Sequence, residues 1–535
     1  MANEVDILIV GAGPAGLAAA IKICEHAKAS GRAVSVAVVD KSPKAGYHCL
    51  SGANFEVDCL DELVPGWRDE HSDFIRQVLG QKVARHDTYF LTRTRALHIP
   101  SPLVPGTSRR DRNCTISIAD LAAWMADKAT QLGAEVYYGF AAKEPVIDNG
   151  AIKGVVLRER GIDRDGNRKG NYLAPETVRA KVTILADGVC GPVSAKVIEV
   201  FELDRGRNPQ VFSIGLKQLL KLPNRDHHGI NKVLHTFGYP LKWNVFGGGF
   251  LYDMGAAEVA VGLVMGLDWR YYDLNPQQEL ELFKRHPLIA QALEGGEIVT
   301  AGAKMIPEGG FYSMPKLYAP GVLLAGDAAG MVNLLKLKGI HLAISSGMSA
   351  GEVAFRALLS GDISDEALCE YPRLLEDKGV FRELRTARNM RQCFTTPFGL
   401  LVGAPMTMVQ GFIPLRLGIG DDRSSTKHVS IRRSYGAPFD RKTFAARSGT
   451  MHDENLLSHI SIREDRECLE CMEQIGGPCA KFCPAEVYSF RDDMSGIAIS
   501  STDCLHCRTC AIKCPKDNID WQTPEGGFGP RFRHM

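Results

Sequence analysis

Asp6-Ile-Leu-Ile-Val-Gly-Ala-Gly-Pro-Ala-Gly-Leu-Ala-Ala-Ala20 decides the fold of this 535-residue chain. Ile7 to Val10 is an apolar run suited to a buried parallel strand, and the alanine-rich run from Ala15 reads as the helix after it. Between them Gly11, Gly13 and Gly16 keep G-x-G-x-x-G spacing. Gly11 permits the tight turn, Gly13 lets a pyrophosphate approach the backbone, and Gly16 lets helix and strand pack closely. The helix N-terminus adds free N–H groups and a partial positive charge for the phosphates. A second strand, Val34 to Val39, ends at Asp40, an acid placed to bond a ribose hydroxyl, and the adjacent Lys41 belongs to the same site. A plain glycine turn is the alternative, but it explains neither the flanking strands nor the acid.

Much later the chain comes back to this unit. Gly321-Val-Leu-Leu-Ala-Gly-Asp-Ala-Ala-Gly330 reads as a buried strand ending in Gly326 and Asp327, with Gly330 closing the turn and a helix from Gly339 to Leu358 behind it. An acid there can bond a ribityl hydroxyl, and no second G-x-G-x-x-G exists, so the pattern is that of FAD rather than of a nicotinamide cofactor. Between these stretches, Ile116 to Leu132 has helical periodicity with Ser117 as its cap, and Ala186-Asp187-Gly188 ends another strand as a second approach to the dinucleotide. Leu241 to Tyr252 reads as strand, glycine turn, strand, its Gly247, Gly248 and Gly249 leaving backbone bare for a planar ligand.

Lys plus Arg is 63 against 62 Asp plus Glu, a balance that argues against nucleic acid as a partner. No secretory signal is visible at the N-terminus. Residues 392–415 carry no charge over 24 positions, yet Pro397, Pro405 and Pro414 with three glycines would break a spanning helix. The stretch reads as a segment dipping into one leaflet of a bilayer, fringed by Arg382, Arg385, Arg388, Arg391 and Arg416 and by the seven Lys/Arg of 421–447. A buried core segment followed by a solvated linker is the alternative.

Eight of the fifteen cysteines crowd into residues 468–514. Cys504-x2-Cys507-x2-Cys510-x3-Cys514-Pro515 is the bacterial ferredoxin run, and Cys468-x2-Cys471-x7-Cys479-x3-Cys483-Pro484 is the same run with its middle lengthened. In such runs the fourth cysteine ligates the other cluster. Two [4Fe–4S] clusters are therefore expected, one on Cys483, Cys504, Cys507 and Cys510, the other on Cys468, Cys471, Cys479 and Cys514. Zinc is the rival for C-x-x-C pairs but does not call for two Cys-Pro endings. Flavin, single-electron clusters and a lipid-dipping edge together imply an electron-transfer enzyme with a lipid-soluble acceptor, for which a quinone is the natural candidate. No nucleophile triad or paired-carboxylate catalytic set stands out, and this chemistry needs none.

Over nearly its whole length the sequence resembles the electron transfer flavoprotein–ubiquinone oxidoreductase family. The likeness rests on Gly11-Ala-Gly-Pro-Ala-Gly16, His48-Cys-Leu-Ser-Gly-Ala53, Gly247-Gly-Gly-Phe-Leu-Tyr252, Leu293-Glu-Gly-Gly296 and Glu308-Gly-Gly-Phe-Tyr-Ser-Met-Pro-Lys316. Lys338-Gly-Ile-His341, Cys483-Pro-Ala-Glu-Val-Tyr488 and Pro524-Glu-Gly-Gly527 complete it. The resemblance implies a monotopic membrane enzyme that takes electrons from reduced electron transfer flavoprotein and reduces a quinone. It puts the quinone-contacting pair on Gly247 and Gly248, and the family's single cluster on Cys483, Cys504, Cys507 and Cys510. The four further cysteines resemble bacterial relatives in which a Fix-type flavoprotein and a two-cluster ferredoxin serve an electron transfer flavoprotein, some of them bifurcating. Ile340 stands where the resemblance leads to a threonine.

The expected fold is α/β. A Rossmann-like FAD-binding domain of glutathione-reductase type takes residues 1–75, 111–205 and 301–391, with an inserted β-rich quinone-binding and membrane-contacting region at 76–110, 206–300 and 392–420. A basic linker at 421–450 leads to an α+β ferredoxin-like domain at 451–535. The expected location is the cytoplasmic face of a bacterial inner membrane. An FAD-dependent lipid reductase of geranylgeranyl type and an electron-carrying subunit of a bifurcating complex are the competing readings.

Overall fold

Strand Glu4–Val10 lies at the centre of an eight-stranded sheet because its side chains from Ile7 to Val10 are buried on both faces. Parallel neighbours flank it, Val36–Asp40 on one side and Glu176–Leu185 on the other. Glu135–Tyr138 and Val322–Leu324 extend the parallel order outward. The structure is a computed structural model that describes residues 4–52, 54–104, 113–223, 232–395, 398–412, 415–427, 429–431, 433, 440–491, 496–532 and 534–535. Helix Pro14–Ala29 follows the first strand and packs on the long helix Ile340–Ser360. Glycines allow that approach, since a Cβ on Gly347 would stand 2.0 Å from the Ala15 carbonyl oxygen and one on Gly351 2.7 Å from that of Ala19. Helix Ile118–Gln131 starts where the sequence places its cap, the Ser117 hydroxyl accepting from the Asp120 N–H.

A second sheet of seven strands runs in the order Glu297–Pro307, Phe212–Lys221, Glu258–Gly266, Gly247–Gly255, Lys232–Gly238, Arg85–Leu91, Ala96–Ile99. All its pairs are antiparallel except Lys232–Gly238 with Arg85–Leu91. The three glycines at 247–249 are not a turn between strands, as the sequence suggested, but the opening residues of a strand. Close neighbours are the reason: a Cβ on Gly248 would meet the Thr236 carbonyl oxygen at 2.3 Å, and one on Gly249 the Phe283 ring at 2.3 Å. Register divides the sheet into two faces. Lys217, Lys304, His235, Tyr252, Phe250 and His86 share one face, while Leu216, Leu251, Val261 and Leu263 lie on the other in an apolar core with Phe283.

The C-terminal region carries two short hairpin sheets, Ile460–Ile462 with Ile519–Trp521 and Tyr488–Phe490 with Ile497–Ile499. It is wedged against both large sheets. Lys513 Nζ donates to the Trp269 carbonyl at 2.6 Å and Gln277 Nε2 to that of Pro484 at 2.5 Å. On the other side the Gly527 N–H donates to the Lys41 carbonyl at 2.8 Å. The fully buried Phe532 ring fills the space left by Gly302, and such burial contributes roughly 1.5–3 kcal/mol.

The uncharged stretch forms helix Leu400–Val409 with Pro405 inside it, and among the described residues no helix is long and apolar enough to cross a membrane. Its cationic fringe differs from the expectation. Arg391 is fully buried, paired with Asp268 at 2.6 Å and lying over the Phe246 ring. In the linker, Arg423 pairs with Asp517, Arg433 with Glu279, Arg441 with Glu486 and Lys442 with Asp503. Nearby carboxylates pair with these cations, while Arg388 and Arg416 donate to the Gly411 and Gly206 carbonyls. Arg432, Pro397 and Pro414 lie outside the described residues.

Candidate functional site

One cavity of about 1060 Å³ runs between the two sheets, above the range of about 300–1,000 Å³ usual for a single small ligand. At one end are Gly11, Gly13, Asp40 and Lys41. Gly11 has φ +105°, and a Cβ there would stand 2.2 Å from the Ala186 carbonyl oxygen. A Cβ on Gly16 would stand 1.9 Å from the Gly11 carbonyl oxygen, which is the tight strand–helix packing the motif calls for. A Cβ on Gly13 meets nothing within 4 Å. That open face, beside a helix N-terminus without a side-chain cap, fits a pyrophosphate.

Asp40 sits at its strand end, and its carboxylate accepts from the Ala12 and Ser42 N–H groups, each at 2.7 Å. It braces the glycine turn while keeping lone pairs for a ribose. Asp327 lines the cavity, and burial raises its carboxyl to about 6. Gly326 and Gly330 stand behind it, against Ala15 and Gln210 respectively. Asp187 also lines the cavity but is spent as a helix cap, accepting from Val193 and Ser194 N–H groups at 3.1 Å each.

Several wall residues escaped sequence reasoning. Lys304 donates to the His48 carbonyl at 3.2 Å and Lys217 to that of Ser51 at 3.0 Å. Burial lowers Lys41 and Lys217 to about 7 each. Both nitrogens of His48 are buried without a protein partner in the cavity wall, as suits residues that await a polar ligand. Lysines in the middle of apolar strands were the available signal.

Gly247 and Gly248 lie farther along the same cavity, which continues past Phe246, Phe394, Trp243 and Leu401. Trp243, Phe398, Leu401, Met408, Val409 and Leu415 expose between 45% and 69% of their surface around this end.

The cysteines fall into two groups. Cys507 raises the thiols of Cys483, Cys504 and Cys510, and Cys514 raises those of Cys468, Cys471 and Cys479, with Cys479 and Cys483 one helical turn apart where the two groups meet. Among the described residues no three cysteine sulfurs lie within 4.8 Å of one another. Four sulfurs around one zinc at ~2.3 Å would stand only ~3.8 Å apart. Among the described residues no three sulfurs are gathered as closely as one zinc ion would need. Burial pushes the Cys483 thiol up to about 11 and that of Cys504 up to about 12.

Buried donors surround the first group. The Tyr488 hydroxyl, Thr509 hydroxyl and Trp521 N–H have no protein partner at hydrogen-bond distance, yet lie beside Cys510, Cys507 and Cys504. They fit a cluster's sulfur atoms. Asn518 serves the second group alone, its N–H donating to Cys514 Sγ at 3.3 Å and its Nδ2 to Cys468 Sγ at 3.2 Å. Cys507 and its neighbours His506 and Arg508 line the large cavity, whereas none of the second group does.

Two other clusters could be mistaken for metal sites. His452, His459 and His506 bring ligand atoms within 4.8 Å of one another, but the charges around His459 are those of Lys41, Arg158 and Arg508. Asp503 acts on His452, but three cations face His459 and oppose a further positive charge there. Glu56, His341 and Glu383 also converge, and Lys336 and Lys338 already neutralise the two carboxylates.

Comparison with known proteins gives matches along the chain. Residues 437–533 match the family described as electron transfer flavoprotein-ubiquinone oxidoreductase, 4Fe-4S, and residues 212–306 the one described as ETF-QO, ubiquinone-binding. Residues 9–76 match the NAD(P)-binding Rossmann-like domain. The mitochondrial electron transfer flavoprotein-ubiquinone oxidoreductase of Dictyostelium discoideum is 36% identical over 100% of this chain and 91% of its own length. That of Homo sapiens is 35% identical over 100% and 90%, and that of Pseudomonas aeruginosa 35% over 99% and 99%. Among solved structures, a geranylgeranyl bacteriochlorophyll reductase-like protein of Thermoplasma acidophilum has a TM-score of 0.56 at 19% identity, covering 77% of this chain and 97% of its own. A flavin-dependent brominase has a TM-score of 0.51 at 15% identity, covering 75% and 90%. At those identities the structures share the fold alone.

Proposed function

The chain belongs to the electron transfer flavoprotein–ubiquinone oxidoreductase family, and from that premise we propose the route by which it carries electrons from reduced electron transfer flavoprotein, through iron–sulfur centres and FAD, to ubiquinone. The route has two [4Fe–4S] clusters rather than one, as in the two-cluster Fix-type form. Electrons enter at the outer cluster, on Cys468, Cys471, Cys479 and Cys514, whose Cys468 and Cys479 are only half-buried. They pass to the inner cluster, on Cys483, Cys504, Cys507 and Cys510, and from there to FAD.

The carrying observation is that Cys507 lines the same cavity as the Gly11–Gly13 turn and as Gly247 and Gly248. Gly11, Gly13 and Gly16 would shape the pyrophosphate seat of FAD, Asp40 and Lys41 would hold the adenosine side, and Asp327, with Gly326 and Gly330 behind it, the ribityl side. FAD supplies the step between single electrons and electron pairs. Lys304, Lys41 and His48 crowd that wall with donors and positive charge, which favours gain of electrons there. Gly247 and Gly248 present bare backbone to the quinone head.

The apolar rim around Trp243, Phe398, Leu401 and Leu415 meets lipid, each half-exposed side chain contributing on the order of 1 kcal/mol when covered. The chain is then monotopic, on the cytoplasmic face of a bacterial inner membrane, and a quinone reaches the cavity without leaving the bilayer. The test is anaerobic turnover with reduced electron transfer flavoprotein and a short-chain ubiquinone. Stoichiometric quinol formation, with bleaching of both cluster and flavin absorbance before quinone is added, is the expected result. Reduced partner that leaves the clusters oxidised would contradict it.

A further inference from the structure

Reducing a quinone to a quinol takes two protons as well as two electrons, and the surface of the cavity is mostly apolar. Leaving the reduced oxygens unprotonated would bury unpaired charge, at a cost of several kcal/mol even after relaxation. Protons must therefore reach a place built to exclude water.

Three residues on the cavity face of the second sheet make one hydrogen-bonded line. The Tyr252 hydroxyl lies 2.5 Å from His235 Nε2, and His235 Nδ1 lies 2.6 Å from His86 Nε2. All three border the cavity. They stand on adjacent strands, because Val233 pairs with both Tyr252 and His86 and His235 is two residues on. Strands lie ~4.8 Å apart, so the line covers ~10 Å. Its inner end is buried: Tyr252 and His235 are 4% and 6% exposed. Its outer end, His86, is half-exposed beside the exposed Arg85.

We propose that Tyr252, His235 and His86 form the proton line that supplies the bound quinone during its reduction. This rests on the quinone-reducing function proposed above. The Tyr252 O–H bond breaks as its proton passes to a quinone oxygen. His235 returns a proton from Nε2 to the phenol oxygen and takes one at Nδ1 from His86 Nε2, and His86 is reprotonated from water. Each pass leaves His235 with its proton on Nδ1 instead of Nε2, so His235 and His86 return to their starting tautomers by exchange with water before the next pass; two such cycles with two electrons from the FAD route turn one quinone into one quinol.

Other buried groups on the wall are less suited to the task. Glu308 is raised to about 7 by burial, but it is held by Ser213 and by Arg391, whose further partner is Asp268. That set has no half-exposed member comparable to His86 except Asp268 itself, which Arg391 holds in an ion pair. Lys217 donates to the Ser51 carbonyl and continues to no second titratable group.

The experiment compares ubiquinone with ferricyanide, which accepts electrons without protons, in wild type, Tyr252→Phe and His86→Gln holoenzymes. The expected result is a fall of tenfold or more in the ratio of quinone rate to ferricyanide rate for both variants. Added imidazole restores the ratio for His86→Gln and not for Tyr252→Phe. Isotope-labelled histidine in the oxidised wild-type protein should also show a strongly downfield N–H resonance that Tyr252→Phe removes. An unchanged rate ratio in both variants overturns the proton line. Wild-type protein that reduces ferricyanide but no quinone overturns instead the functional reading on which it rests.

Discussion

The two cysteine quartets begin from nearly the same sequence pattern and end in different surroundings. The inner one is walled by Tyr488, Thr509 and Trp521 and shares a cavity with the nucleotide turn. The outer one is reached, among the described residues, by the Asn518 side chain and keeps Cys468 and Cys479 partly exposed. Spacing sets which thiols can share a cluster, while the packing of each quartet sets what that cluster can exchange electrons with. In the proposed route the buried quartet against the flavin seat would be the relay and the more exposed quartet the entrance.

That contrast can be broken most sharply at Cys507. Cys507→Ser should lower partner-driven quinone reduction by at least ~100-fold while FAD content by absorbance stays at wild-type level, because the last step before the flavin is removed. Full partner-driven turnover in this variant would refute the relay. Cys468→Ser is milder in its reach. It should take iron from about eight to about four per chain and suppress partner-driven turnover, yet leave dithionite able to reduce the inner cluster and FAD.

Oxidative loss of metal sharpens the same comparison without mutation. On exposure to air, iron should leave in two phases, the first removing the outer cluster's spectroscopic signal and partner-driven activity together. A single phase, or loss of the inner signal first, would contradict the assigned burial order. The smallest effect belongs to Asn518→Leu. Removing its donor to Cys468 should lower the outer cluster's potential by about 40 mV, one hydrogen bond of ~1 kcal/mol in a one-electron couple, and leave the inner potential unmoved. Equal shifts at both clusters would show the quartets to be less separate than their packing indicates.

What could be read in advance follows from how local each feature is. The glycine turn, Asp40 and the cysteine runs are set by neighbours within a few residues, so their spacing alone carried them. The Gly247–Gly249 strand was misread as a turn because its glycines answer to Thr236, Phe283 and the neighbouring strands, none visible from the local sequence. Arg391 looked like part of a cationic fringe because its partners Asp268 and Glu308 lie far away in sequence. His86, His235 and Tyr252 meet only through register across three strands, and nothing about each residue in isolation marks it. Asn518 is similar: its two sulfur contacts, to Cys468 and Cys514, require a fold that brings both ends of the ferredoxin run together.

The distinct roles of the two quartets turn on whether both carry a cubane in the same molecule. Anaerobic iron analysis together with EPR of the dithionite-reduced protein addresses this directly. About eight irons per chain and a spectrum broadened by coupling between two nearby reduced clusters is the predicted result. About four irons with one isolated, unbroadened signal would contradict it.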